Sequence, residues 1–330
     1  MYTLHSVRAT FDYMNFDFNR FSSTLDNARK KSKKRTYCCC MPNCNETALY
    51  HSHIIPQSTL KKYICDNKNR VIQCQIDEIH PMSILDTGEI PLEKIDSIGI
   101  SNAMSMPLFC SKHDNDLFYR YEKDADSAAP SEARFQILQA LRATCALKYR
   151  DTRMLVQNEI KTTSDDFYTG GVYEIERQVY EYLVQRDDST ISSLCQSLDS
   201  NDFSSYEFIC IELELLKLAI CDVYIDDSCL EDEENTNPLD ALFINCIPKD
   251  NHSYLTLGYD RRYVSDKQKE MIARWKAALD DGVNIRTIYD ILCHCGNNWC
   301  VSPDCDNRII EYIQAHYSED RAKAILDSKM

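Results

Sequence analysis

The spacing of apolar positions divides the chain into a turn-rich first third and a more regular remainder. From Pro130 to about Arg153, Phe135, Leu138, Leu141, Ala146 and Leu147 recur near helical spacing, with Ser131 placed to cap the start, so a long helix is expected. Gly170-Gly171 breaks a polar connection, after which VYEIERQVYEYLVQR predicts a second helix. A third is expected through SYEFICIELELLKLAICDVYI. Further on, ALFINCIP and HSYLTLGYD are rich in β-formers and flank Lys249-Asp250-Asn251, the pattern of a hairpin near 241–260. Ser265 as N-cap and Gly282 as stop bound a helix in SDKQKEMIARWKAALDDG. The last forty residues read as helical around a cysteine-rich insert, and residues 1–28 as mixed strand and short helix.

Charge sharpens this division. Residues 1–40 hold eight basic and three acidic residues, a net +5, while the whole 330-residue chain carries −15. Six of the eight lie in Arg29-Lys30-Lys31-Ser32-Lys33-Lys34-Arg35, whose crowded like charges predict a solvated linker. The same run is the candidate contact for DNA or RNA, because an acidic chain meets phosphates only through a local basic patch. Residues 222–240 hold eight acidic residues and no basic one, which predicts a solvated loop. No apolar run approaches the roughly 18 residues of a membrane span, and Met1–Arg20 lacks a signal-peptide core. A cytoplasmic protein without a membrane partner is expected.

Seventeen cysteines in such a chain point to reduced thiols and a metal site rather than a disulfide scaffold. Cys145, Cys210, Cys221 and Cys246 lie in apolar runs and read as small buried hydrophobes. Cys293, His294, Cys295, Cys300 and Cys305 match no compact zinc spacing and read as a packed, reduced cluster. Nearer the N-terminus, Cys39 and Cys44 bracket a turn with Pro42 and Asn43, and Cys110 and His113 form a second pair. Two local donor pairs from separate elements are what a tetrahedral zinc site needs. Cys40 is the alternative to Cys39 as first ligand, and packed thiols with an incidental Cys-x-x-His are the competing reading. A knuckle, intervening strands and a second pair leading into a helix is the layout of a treble clef.

Between the pairs runs His51-Ser52-His53-Ile54-Ile55-Pro56, in which an extended backbone puts both histidines on one face. Together these segments resemble the HNH (ββα-metal) nucleases. The resemblance implies that His53 is the general base and that zinc sits on Cys39 (or Cys40), Cys44, Cys110 and His113. It also implies a catalytic magnesium or manganese ion near Asp114, with Asn115 and Asp116 as neighbours. Ser52 stands where the family has a metal-binding Asp, and His113 replaces the usual fourth Cys. The chain is also similar, over residues 37 to about 150, to a group of bacterial proteins marked by Ser-His-Ile, Phe-Cys-x-x-His-Asp and a helix with Leu-Arg-Ala (Leu141-Arg142-Ala143), a likeness that includes Glu122.

The expectation is an α+β fold: residues 1–36 as N-terminal segment with basic linker, 37–125 as a zinc-binding treble-clef (ββα-like) module, and 126–330 as a mainly helical domain with a late β-hairpin. The function expected from the resemblance is a metal-dependent nuclease, of the kind found in bacterial defence or toxin-like systems. The alternative is a non-catalytic zinc scaffold that binds nucleic acid or a protein partner. The nucleic-acid contacts would be Arg29, Lys30, Lys31, Lys33, Lys34 and Arg35.

Overall fold

The computed structural model describes residues 18–75, 94–123, 126, 129–163, 167–225, 241–296, 298–305, 307, 309–311 and 313. The strand and helix expected before residue 18, the acidic stretch 226–240 and the chain after 313 lie outside them. Helix and sheet are mixed, as expected of an α+β fold. The chain divides into two units, one of residues 1–35, 76–94 and 152–181, the other of 36–75, 95–151 and 182–330.

In the first unit, α1 (Phe18–Lys34) takes in nearly all of the basic run, so this run is a helix and not a linker. A helical backbone fans the side chains outward, and Lys31, Lys33 and Lys34 in its last turn complement the helix dipole. Ser32 is buried and bonds to the Arg29 carbonyl at 2.9 Å, while Lys30, Lys31, Lys33, Lys34 and Arg35 are exposed. Arg29 pairs with Asp26 and Arg35 with Glu159, both at 3.4 Å.

The second unit is layered about a seven-stranded sheet. Its strands are β2 (Arg70–Gln75), β3 (Lys94–Gly99), β5 (Tyr206–Glu214), β6 (Leu218–Ile225), β7 (Ala241–Lys249), β8 (His252–Asp260) and β9 (Trp299–Val301). Their order is β3-β2-β9-β6-β7-β8-β5, antiparallel at every pair from β2 to β5. The expected hairpin is β7–β8, turning at Asp250, whose φ of 53° suits the tight connection. The helix expected over 205–225 is instead β5 and β6. Tyr206, Phe208, Ile209, Ile211, Val223, Tyr224 and Ile225 are β-formers, and Lys217, at φ 48°, breaks the run. β5 gains nine register partners on β8, and β6 is held between β7 and β9.

Alternation along β6 and β7 sends side chains to two separate cores. Ala219, Cys221, Val223, Ala241, Phe243 and Ile247 face α4 (Ala133–Thr162) and the second half of α5 (Phe167–Ser200). Leu218, Ile220, Leu242, Ile244 and Cys246 face α6 (Asp266–Leu279) and α7 (Ile285–His294), where Trp275, Ile291 and Leu292 are buried. The helix expected from Pro130 begins at Ala133, with the Glu132 carbonyl accepting from Gln136 N–H, so Ser131 lies one residue too early to cap it. Gly170-Gly171 does not break α5, which runs through both positions. Two glycines cost roughly 2 kcal/mol against alanine, which a 34-residue helix absorbs. α6 carries the expected cap at Ser265 in a complete capping box with Gln268, and ends just before Gly282, at φ 122°.

Cys145, Cys221 and Cys246 are fully buried as expected, and Cys210 is half-buried on β5. Cys293, Cys295, Cys300 and Cys305 are buried and form no disulfide among the described residues, as expected of a packed, reduced cluster. Burial raises the thiols of Cys295 and Cys300. Among the described residues no helix is long and apolar enough to cross a membrane.

Candidate metal centre and the adjoining cleft

The first donor pair is set by a tight turn. Cys39 N–H donates to Glu46 and Cys44 N–H to Met41, while Asn43 takes the left-handed conformation at φ 58°. Asparagine tolerates that region, so four intervening residues close as tightly as a shorter knuckle. The second pair opens α3 (Ser111–Glu122): Cys110 is its N-cap and His113 sits in its first turn. Backbone bonds from Cys40 to Leu108 and from Leu49 to Phe109 bring the two segments together.

The donor atoms of Cys39, Cys44, Cys110 and His113 all lie within 4.8 Å of one another. Cys44 Sγ is 3.9 Å from Cys110 Sγ, and His113 Nδ1 is 3.4 Å from Cys39 Sγ and 3.3 Å from Cys110 Sγ. A tetrahedral zinc with Zn–S of about 2.3 Å and Zn–N of about 2.0 Å sets edges of ~3.8 Å between sulfurs and ~3.5 Å from sulfur to nitrogen. The donor set and its spacing therefore fit a metal ion of the zinc class. Cys40 is not a member. Its thiol turns into the core, 3.8 Å from the Cys145 carbonyl, because successive side chains of an extended segment point opposite ways.

Burial pushes the Cys39 thiol up to about 12. At Cys110 burial also works against ionisation, but hydrogen bonds from the backbone of His113 and Lys112 and from the thiols of Cys44 and Cys39 bring it below its ordinary value. A dication is the charge that holds such crowded sulfurs together as thiolates.

Next to this centre, β1 (Ser52–His53) pairs with β4 (Ser105–Met106), matching His53 with Ser105. Ser52 points inward and is fully buried, accepting from Phe109 N–H at 3.2 Å and donating to the Phe109 carbonyl at 3.4 Å. His51 is exposed, with Nδ1 2.9 Å from Ser105 Oγ. His53 is half-buried, and its Nε2 lies 3.3 Å from the Ile100 carbonyl. A carbonyl only accepts, so Nε2 carries the proton and Nδ1 the lone pair. Burial lowers the His53 pKa; the Ile100 bond and Glu122 oppose that shift, and Arg142 adds to it.

His53 opens into a cleft of about 310 Å³ with Gln57, Ser58, Lys61 and Glu122. Gln57, Ser58 and Lys61 come from α2 (Gln57–Thr59) and the π-helical turn Leu60–Ile64 that continues it. Glu122 comes from α3, on the face of Asp114 and Phe118, four residues apart along the helix. The fully buried Arg142 lies 3.8 Å over the Phe118 ring and pairs with Glu122. Asp114 is half-buried with Oδ1 enclosed and unpartnered. Burial and the nearby Glu122 push its carboxyl up to about 6 against the pull of Arg142. Asn115 and Asp116 are exposed, Asn115 bonding back to the Ser111 carbonyl at 2.7 Å. Among the described residues no second group of three metal donors assembles.

The sequence did not single out Gln57 or Lys61, and it marked Ser58, Glu122 and Arg142 only through a family likeness. The readable signal was the spacing Asp114, Phe118, Glu122, which puts a carboxylate two turns from the Cys-x-x-His. No protein-family model, curated protein or solved structure matches the chain.

Proposed function

We propose that the chain is an HNH-like nuclease in which a zinc-bound treble-clef module holds His53 as the general base of phosphodiester hydrolysis. The observation that carries this reading is the placement of His53. Its Nε2 is held at the Ile100 carbonyl, burial disfavours its charged form, and it lines an open polar cleft beside a four-donor centre. Zinc contributes structure here: with Cys39, Cys44, Cys110 and His113 as ligands it ties the knuckle to the start of α3, and the strand bearing His53 lies against both. His53 Nδ1 takes a proton from water, the resulting hydroxide adds to phosphorus, the P–O bond to the leaving sugar breaks, the departing oxygen takes a proton from solvent and the imidazolium returns its own to solvent, giving a phosphomonoester and an alcohol.

The magnesium or manganese ion implied by the resemblance has no place in this scheme. Ser52 is committed to the Phe109 backbone, and Asp114 does not line the cleft. Nucleic acid is the substrate class of the reading, and the exposed cations of α1 are its candidate contact. The commitment of Ser52 to the Phe109 backbone favours one other reading, a zinc scaffold that binds nucleic acid or protein without cleaving it.

The test is cleavage of plasmid DNA and of RNA by wild type and His53→Ala, with zinc measured in both. The reading expects activity to fall at least a hundredfold in the variant at unchanged zinc content. Salt-sensitive binding without cleavage by wild type would establish the scaffold instead.

A further inference from the structure

Two adjacent lysines on the turn after α2 differ in one respect. Lys62 is paired with Asp126, which also accepts from the Tyr63 hydroxyl at 2.9 Å. Lys61 has no ion-pair partner among the described residues, is exposed, and lines the His53 cleft. The cleft's one carboxylate, Glu122, is already neutralised by Arg142, a guanidinium with no exposed surface. With His53 neutral, the walls therefore carry one uncommitted positive charge. Beside it, the exposed Gln57 amide stands on the same wall of the cleft.

We propose that this cleft is a phosphodiester-binding site in which Lys61 supplies the cation and Gln57 a neutral donor, placing the phosphorus beside His53. Charge selects the ligand class. A phosphodiester carries one negative charge and matches the one free cation, whereas a phosphomonoester carries nearly two at neutral pH and leaves nearly one of them uncompensated in the cleft. Size agrees: about 310 Å³ lies at the lower end of small-molecule sites. The proposal rests on the reading that this cleft is the reaction site, and it assigns to Lys61 the contact with the phosphate that the resemblance would give to a second metal ion.

The test uses the full-length, zinc-loaded protein with a phosphorothioate-linked thymidine dinucleotide as probe and no divalent ion added. Binding is followed by NMR through the His53 ring resonances. Saturable shifts are expected in wild type, with affinity at least tenfold weaker in Lys61→Met, restored in Lys61→Arg, and within twofold of wild type in Lys62→Met. Thymidine monophosphate should bind more weakly than the dinucleotide. Equal losses in Lys61→Met and Lys62→Met would overturn the proposal by showing diffuse electrostatics, as would the absence of any saturable shift. The experiment reads binding alone, so a His53→Ala protein that cleaves as well as wild type would defeat the base assignment and leave this result standing.

Discussion

On the proposed reading the chemistry turns on His53, and the surroundings of this residue set the direction of its response to pH. Burial disfavours the imidazolium, and the Ile100 carbonyl and Glu122 recover only part of that loss. The folded pKa therefore lies below the unfolded value of about 6.5. A depressed group of this kind contributes stability that is present above the unfolded value and lost as pH falls through the folded one. On the proposed reading the same sign governs reactivity, because the neutral ring would act as the base. An NMR titration should place the His53 midpoint below 6.5, with hydrolysis level down to that pH and falling only beneath the midpoint. A midpoint at or above 6.5 contradicts the assignment. At this scale the sequence was informative wherever donors came in local pairs: Cys39 with Cys44, and Cys110 with His113. It was silent on Lys61, and it ranked Cys40 only by proximity, because the direction of a thiol depends on backbone that the long-range bond from Cys40 to Leu108 sets.

Elements were legible where their ends were signalled. α6 has both signals, Ser265 at its start and Gly282 just past its end, and it forms with a reciprocal capping box. Ser265→Ala should lower stability by about 1 kcal/mol, measured by denaturant unfolding, while Ser200→Ala, at the last residue of α5, should change it little. Equal effects would deny the cap its role. The run 205–225 was misread because an apolar stretch of that length satisfies helical spacing as readily as alternation. What decides it is tertiary: nine partners on β8 for β5, and a place between β7 and β9 for β6. The basic run erred the opposite way. Charge density suggested a linker, yet the helix C-terminus is where lysines are electrostatically welcome.

At the scale of the molecule, composition and segment types indicated α+β, but the seven-strand order was out of reach. β9 reaches the sheet from the far end of the chain and inserts between β2 and β6, a pairing no local pattern announces. The metal centre is continuous with what it adjoins. Cys39, Ile54, Phe109, Cys110 and Phe118 share one buried cluster with Leu138, Leu141, Ala219 and Phe243, so the four donors link the knuckle and α3 to one face of the sheet. Whether those donors hold an ion is open to direct measurement. Zinc per chain, determined by elemental mass spectrometry on purified wild type, Cys39→Ser, Cys40→Ser and Cys44→Ser, should be about one in wild type and in Cys40→Ser and near zero in the other two. A wild-type protein without zinc, or a Cys40→Ser protein that loses it as completely as Cys39→Ser, would contradict the account.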